Sequence, residues 1–119
     1  MADTRTVLIV DDDDGVRSLA AEVFDGLGHR VIQASNGKAA LEALAAYPEI
    51  SVLFTDVVMP GMSGQQLADE ATRRRPDLLV VMTSGYVKGP PIVDTAFVQK
   101  PWRLGDLQRT VQELLGVRS

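Results

Sequence analysis

Four consecutive aspartates, Asp11 to Asp14, follow the aliphatic run Val7-Leu8-Ile9-Val10. Asp56 closes a second apolar run, Val52-Leu53-Phe54; Ser84 follows a third, Leu78 to Thr83; Lys100 lies just beyond a fourth, Thr95 to Val98. Crowded carboxylates repel, and each one raises the cost of ionising its neighbours, so such a cluster is either solvated or holds a cation. Asp11, Asp12 and Asp56 together make an oxygen-rich site for a hard cation such as Mg²⁺, which prefers near-octahedral oxygen ligation. A metal there leaves a position for a phosphate oxygen. One carboxylate can then attack a phosphoryl group and form an aspartyl phosphate. An ammonium and a hydroxyl, here Lys100 and Ser84, would bind the remaining phosphoryl oxygens, because phosphoryl transfer depends on positioning and charge neutralisation.

This chemistry requires the groups to meet, and the chain supplies alternating periods that bring them together. Val7 to Val10 reads as a strand. Val16, Leu19, Ala20, Val23, Phe24 and Leu27 then recur at helical spacing, with Gly28 as terminator. Asp13 or Asp14 is suited to cap that helix. Arg30 to Ala34 reads as a second strand, and Asn36-Gly37 opens a helix carrying Ala40, Leu41, Leu44 and Ala45 that ends near Tyr47-Pro48. Ser51 to Thr55 is a third strand; a polar helix spans Gly64 to Arg74 and ends before Pro76. Leu78 to Thr83 is the most continuous apolar run and reads as a buried strand. Thr95 to Val98 is a fifth, and Leu104, Leu107, Val111, Leu114 and Leu115 mark a last amphipathic helix. The crossover between Ser84 and Phe97 contains two Gly and two Pro, so it predicts a loop or a single turn.

Strands alternating with helices predict an α/β, flavodoxin-like, doubly wound five-stranded parallel sheet of order 2-1-3-4-5, helices on both faces, with a short or irregular fourth crossover. Ligands of such sheets bind at the carboxyl ends of the strands, where the groups above converge. At 119 residues and 45% hydrophobic the chain predicts one domain, residues 1–119, with a real core. A net charge of -4 argues against a general nucleic-acid binder. The lack of cysteine and a single histidine, His29, argue against thiolate chemistry and zinc. No apolar stretch approaches the roughly 20 residues that span a bilayer, so the expectation is a cytoplasmic protein with no membrane segment. His29 is expected at the surface, Met59 and Met62 in packing, and Arg73-Arg74-Arg75 at a solvated helix end, where cations suit the helix dipole. A calcium-loop reading of the aspartates fails, because the required glycine and the acidic twelfth position do not fall correctly.

The segments Val7 to Asp13, Asp56-Val57-Val58-Met59-Pro60-Gly61-Met62-Ser63-Gly64, Met82-Thr83-Ser84-Gly85-Tyr86 and Gln99-Lys100-Pro101-Trp102 resemble, in order and near-family spacing, the response-regulator receiver domains of two-component signalling. The resemblance covers the whole chain. It implies that Asp56 is the phospho-acceptor, and that Asp11 and Asp12 are the acidic pair, with Asp12 the more direct Mg²⁺ ligand. It further implies that the main-chain carbonyl of Val58 is another ligand, that Ser84 is the switch hydroxyl, and that Lys100 binds phosphate. Pro101 would follow Lys100 through a cis peptide, and Phe97 falls at the position of the family's rotating aromatic. Of the adjacent Thr83 and Ser84 only one can face the site from a strand; the family's hydroxyl-then-small pattern favours Ser84-Gly85. The family usually has phenylalanine where this chain has Trp102, which is expected to be partly exposed.

The function implied is a phosphorylation-dependent switch, not an enzyme beyond self-phosphorylation and self-dephosphorylation. Its partners would be a sensor histidine kinase or histidine phosphotransfer protein and a downstream protein, with the chain a monomer or weak dimer. The chain stops soon after its last helix, which fits either a stand-alone receiver or one belonging to a hybrid histidine kinase. Two other classes compete. A Mg²⁺-dependent aspartyl-phosphate phosphohydrolase usually carries a second acid two residues after its nucleophile, where this chain has Val58. A phosphorylation-independent interaction module is the other, kept open by the irregular fourth crossover.

Overall fold

The computed structural model describes residues 5–84 and 96–99, with side chains described for residues 5–83. The fourth crossover, Lys100, Pro101, Trp102 and the last helix lie outside the described residues, as do the side chains of Ser84 and Phe97. The elements run β1 (Thr6–Val10), α1 (Asp14–Gly26), β2 (Arg30–Ala34), α2 (Gly37–Ala46), β3 (Ile50–Asp56), α3 (Gly64–Arg74), β4 (Leu79–Ser84) and β5 (Ala96–Gln99). The strands form one parallel sheet of order β2-β1-β3-β4-β5, as the alternation predicts.

Side chains alternate across a strand, so a central strand with helices on both faces must be apolar throughout. All five residues of β1 are buried. Leu8 and Val10, with Leu53 and Met82, pack beneath Ala40 and Leu44 of α2 and Leu67, Ala68 and Ala71 of α3. Val7 and Ile9, with Val52, Phe54 and Val81, pack on Ala20, Val23 and Phe24 of α1. Phe24 meets Phe54 edge-on at 5.2 Å between ring centroids. Met59 is buried and Met62 packs against the first of these cores, as expected.

Caps fix where each helix starts, and so how the loops above the sheet run. The Asp13 carboxylate accepts the Val16 N–H at 3.0 Å, and Asn36 does the same for Ala39 at 2.8 Å. Ser63 and Gln66 form a reciprocal capping box, with Gln66 N–H donating to Ser63 Oγ at 3.1 Å and Ser63 N–H to Gln66 Oε1 at 2.9 Å.

Two expectations are corrected. Arg73 and Arg74 do lie at an exposed helix end and pair with Glu70. Arg75, by contrast, crosses to the neighbouring helix. Its guanidinium donates to the carbonyls of Leu44, Tyr47 (2.9 Å), Pro48 (3.2 Å) and Ile50 (2.5 Å), and so closes the carboxyl end of α2 and the turn into β3. The Leu44 carbonyl is one of the acceptors that a helix end leaves without an intrahelical partner.

His29 is also not at the surface; it is only 5% exposed. After α1 ends, Gly28 takes a positive φ of 92°, which turns the chain back so that the His29 N–H donates to the Phe24 carbonyl. The ring lies beside Phe24, and its Nδ1 accepts the Arg5 N–H at 3.1 Å. Burial and the Arg5 guanidinium hold its pKa below the ordinary 6.5. The folded chain therefore favours neutral His29, while the unfolded chain takes up a proton near 6.5. This contribution is complete above that value and is lost as pH falls through the lower folded value. Urea midpoints measured between about pH 7 and about pH 5 should fall further for the wild type than for His29→Asn, whose Oδ1 can keep the Arg5 hydrogen bond. An equal fall in both proteins would exclude the effect.

Candidate functional site

The acidic residues meet at the carboxyl edge of the sheet because β1 and β3 are neighbours in register, with Val10 opposite Thr55. Asp11 leaves the end of β1 and Asp56 is the last residue of β3. One carboxylate oxygen from each of Asp11, Asp12 and Asp56 can be chosen so that all lie within 4.8 Å of one another. Asp11 and Asp56 are buried and Asp12 is exposed, so the cluster has a floor and an open side. Ionised carboxylates this close repel one another, a cost that a nearby cation relieves. The donor set, all hard oxygen with one exposed member, fits Mg²⁺ and leaves room for waters or a phosphoryl oxygen.

The surrounding backbone is tightly tied. Asp11 Oδ1 accepts the Asp13 N–H at 2.9 Å, which curls the loop immediately after β1. Asp56 Oδ1 faces the Val58 N–H at 3.4 Å. The Thr55 hydroxyl donates to the Asp56 carbonyl at 3.0 Å. Val57 N–H donates to the Thr83 carbonyl at 2.9 Å, and Gly64 N–H donates to the Val57 carbonyl at 2.8 Å. These bonds fasten the start of the β3–α3 loop to β4 on one side and to the N-terminus of α3 on the other. Val58 is 61% exposed.

The register pairs Thr83 with Asp56, and Thr83 is buried. Ser84 comes one residue later, at the end of β4, opposite Gln99 of β5. Phe97 lies in β5 opposite Met82.

Two residues have contacts at this edge that the sequence did not lead us to expect. Gly64 begins α3 directly against the end of β3: a Cβ added there would lie 2.1 Å from the Asp56 carbonyl oxygen and 2.8 Å from Val57 Cα. Arg17 reaches from α1 to the Asp11 carbonyl at 2.8 Å. An arginine one turn into an acid-capped helix is a faint signal for the second; the first leaves none in a single sequence. The capping box was not read from the sequence either, although its Ser63-x-x-Gln66 signature stands there.

The chain matches the response regulator receiver domain family over residues 7–112. It is 33% identical over 122 residues to the sensor kinase CckA of Brucella abortus, spanning 97% of this chain and 13% of that kinase. It is 31% identical over 117 residues to the response regulator receiver protein CpdR of the same organism, spanning 93% of this chain and 97% of CpdR. Among solved structures, the receiver domain of the hybrid histidine kinase CckA superposes with a TM-score of 0.79 at 32% identity, covering 92% of this chain and 98% of that one. The response regulator TrrA of Thermotoga maritima, solved in complex with Mg²⁺–BeF, superposes with a TM-score of 0.82 at 25% identity, covering 93% and 99%.

Proposed function

The chain belongs to the response regulator receiver family of two-component signalling, and on that premise we propose that Asp56 is its phosphoryl acceptor, in a Mg²⁺-dependent reaction with a histidine kinase or phosphotransfer protein. The observation that carries the reading is the meeting of Asp11, Asp12 and Asp56 at the joined ends of β1 and β3. An Asp56 carboxylate oxygen attacks the phosphorus of a phosphohistidine; the P–N bond breaks, and the imidazole leaves as the Asp56 acyl phosphate forms. Asp11, Asp12, Asp56 and the Val58 carbonyl would hold Mg²⁺. When bound, the ion would neutralise charge on the transferring phosphoryl oxygens.

Burial of Asp56 beside the Val58 N–H orients the attacking oxygen. Ser84, at the end of β4 and one residue beyond the Asp56–Thr83 pair, is suited to the switch hydroxyl, and Lys100 to the phosphate-binding cation. Phe97, in β5, is the proposed rotating aromatic, and Pro101 the proposed cis-proline. Residues 1–119 act in this reading as one unit through protein contacts, in the cytoplasm where such donors reside. Val58 stands where a phosphohydrolase of this type would carry its second acid; it is aliphatic and exposed, which argues against turnover of phosphate esters.

Incubation with acetyl phosphate and Mg²⁺, followed by intact-mass analysis, should add one phosphoryl group. The adduct should vanish with Asp56→Ala and with chelation of the metal. No adduct with acetyl phosphate or any phosphohistidine donor would overturn the reading.

A further inference from the structure

Arg17 is the most heavily engaged cation at the carboxyl edge of the sheet among the described residues, and its side chain is only 16% exposed. Its guanidinium donates in three directions: from Nη1 to the main-chain carbonyl of Asp11 at 2.8 Å, from Nη2 to the Asp14 carboxylate at 2.5 Å, and from Nε to Gln33 Oε1 at 3.2 Å. Three pieces of structure are thereby tied to one rigid plane: the end of β1, the first turn of α1 and the edge strand β2. Asp12 lies within the span between the first two anchor points. A guanidinium is suited to this work, since its donors are fixed in a planar fork; an ammonium at the same place offers a point charge without that geometry.

We propose that Arg17 is a positioning residue: it holds the loop carrying Asp11 and Asp12 at the separation from Asp56 that a divalent cation needs, and so sets the affinity of the acidic site for Mg²⁺. This rests on the Mg²⁺ reading of the site given above. The proposal has a distinctive sign. A positive charge beside a cation site opposes the cation, so a residue acting through its charge alone would, when neutralised, tighten Mg²⁺ binding. A residue acting through geometry would weaken it when removed. Partners that orient metal ligands from outside typically change affinity by ten- to a hundredfold when mutated.

The test is calorimetric titration of MgCl₂ into the full chain as wild type, Arg17→Lys and Arg17→Met, with unfolding midpoints measured on the same samples without metal. Both variants should bind Mg²⁺ about tenfold more weakly than the wild type, the low end of that range. Arg17→Lys should rescue little, although it keeps the charge. Tighter binding by Arg17→Met with unchanged binding by Arg17→Lys would overturn the proposal in favour of a simple field effect. Lower midpoints with unchanged Mg²⁺ affinity in both variants would reduce Arg17 to a structural tie and overturn it too. Wild-type protein that shows no saturable Mg²⁺ binding, with Asp12→Ala indistinguishable from it, would remove the Mg²⁺ reading itself and the proposal with it. Arg17→Lys, the gentler change, carries the test if Arg17→Met does not fold.

Discussion

Gly64→Ala should destabilise the fold by about 3 kcal/mol, the upper end of the usual cost of overpacking, and should slow phosphorylation of the molecules that remain folded. Most glycines tolerate a methyl group where neighbouring side chains can turn aside. Here the methyl would fall 2.1 Å from the Asp56 carbonyl oxygen, 2.8 Å from Val57 Cα and 2.9 Å from the Asp56 carbonyl carbon, all of them main-chain atoms. Neither partner can yield by changing rotamer, so α3 and the end of β3 must separate. The Gly64 N–H bond to the Val57 carbonyl then lengthens, and the main chain that presents Asp56 and Val58 moves with it. Urea unfolding measures the first effect, and for a chain of this size the thermal midpoint should fall by roughly 10 °C. The second is read as the acetyl phosphate rate per folded molecule. A wild-type midpoint in Gly64→Ala would show that the close approach costs nothing.

Arg75→Met should lower stability by about 3 kcal/mol. Single hydrogen bonds to a charged group are worth roughly 1.5–3 kcal/mol, and several on one guanidinium do not add. Methionine keeps much of the apolar stem and deletes every donor to Leu44, Tyr47, Pro48 and Ile50. The Leu44 and Ile50 carbonyls lie in partly buried surroundings, where a lost partner is replaced only in part by water. The same change removes a positive charge from the negative end of the α2 dipole. Arg75→Lys should recover less than half, since one ammonium cannot span four carbonyls. Urea midpoints give the magnitude. Amide exchange gives the location: the Tyr47 and Ile50 N–H groups, which bond to Ala43 and Tyr47, should exchange faster while those of β1 change least. A loss under about 0.5 kcal/mol, the range of an ordinary surface substitution, would contradict the clamp.

The elements of this fold are legible in the sequence because each is bounded by residues with a physical reason to stop or start a segment. Asn36-Gly37, Gly28 and Pro76 mark turns and ends, and the buried central strands read as unbroken apolar runs because helices cover both their faces. The β3 and β4 boundaries differ from expectation by about a residue, as strand ends set by pairing with neighbours must. The acidic cluster was legible because charge at the end of a buried strand is costly and therefore conspicuous. Arg75 and Gly64 were not, because their partners are main-chain atoms, and the Arg17 contact that reaches the site, to the Asp11 carbonyl, is of the same kind. Every residue carries a carbonyl, so nothing in the identity of Leu44, Ile50 or Asp11 announces that a guanidinium will reach it. His29 escaped differently. Its burial is decided by the backbone path after Gly28, not by its own polarity.

The strand order β2-β1-β3 keeps the three carboxylates on adjacent strands that also belong to one unbroken stretch of chain, ending at Asp56. Ser84 and Lys100, the groups proposed to meet the phosphoryl oxygens, come later. On the ribosome the two sets emerge in that order. A nascent chain has therefore made Asp11, Asp12 and Asp56, and the strands that gather them, before the lysine proposed to face the phosphoryl oxygens exists. For that interval the Arg17 guanidinium, tied to the Asp11 carbonyl and the Asp14 carboxylate, and a divalent cation from the surrounding solution are the counter-charges at hand.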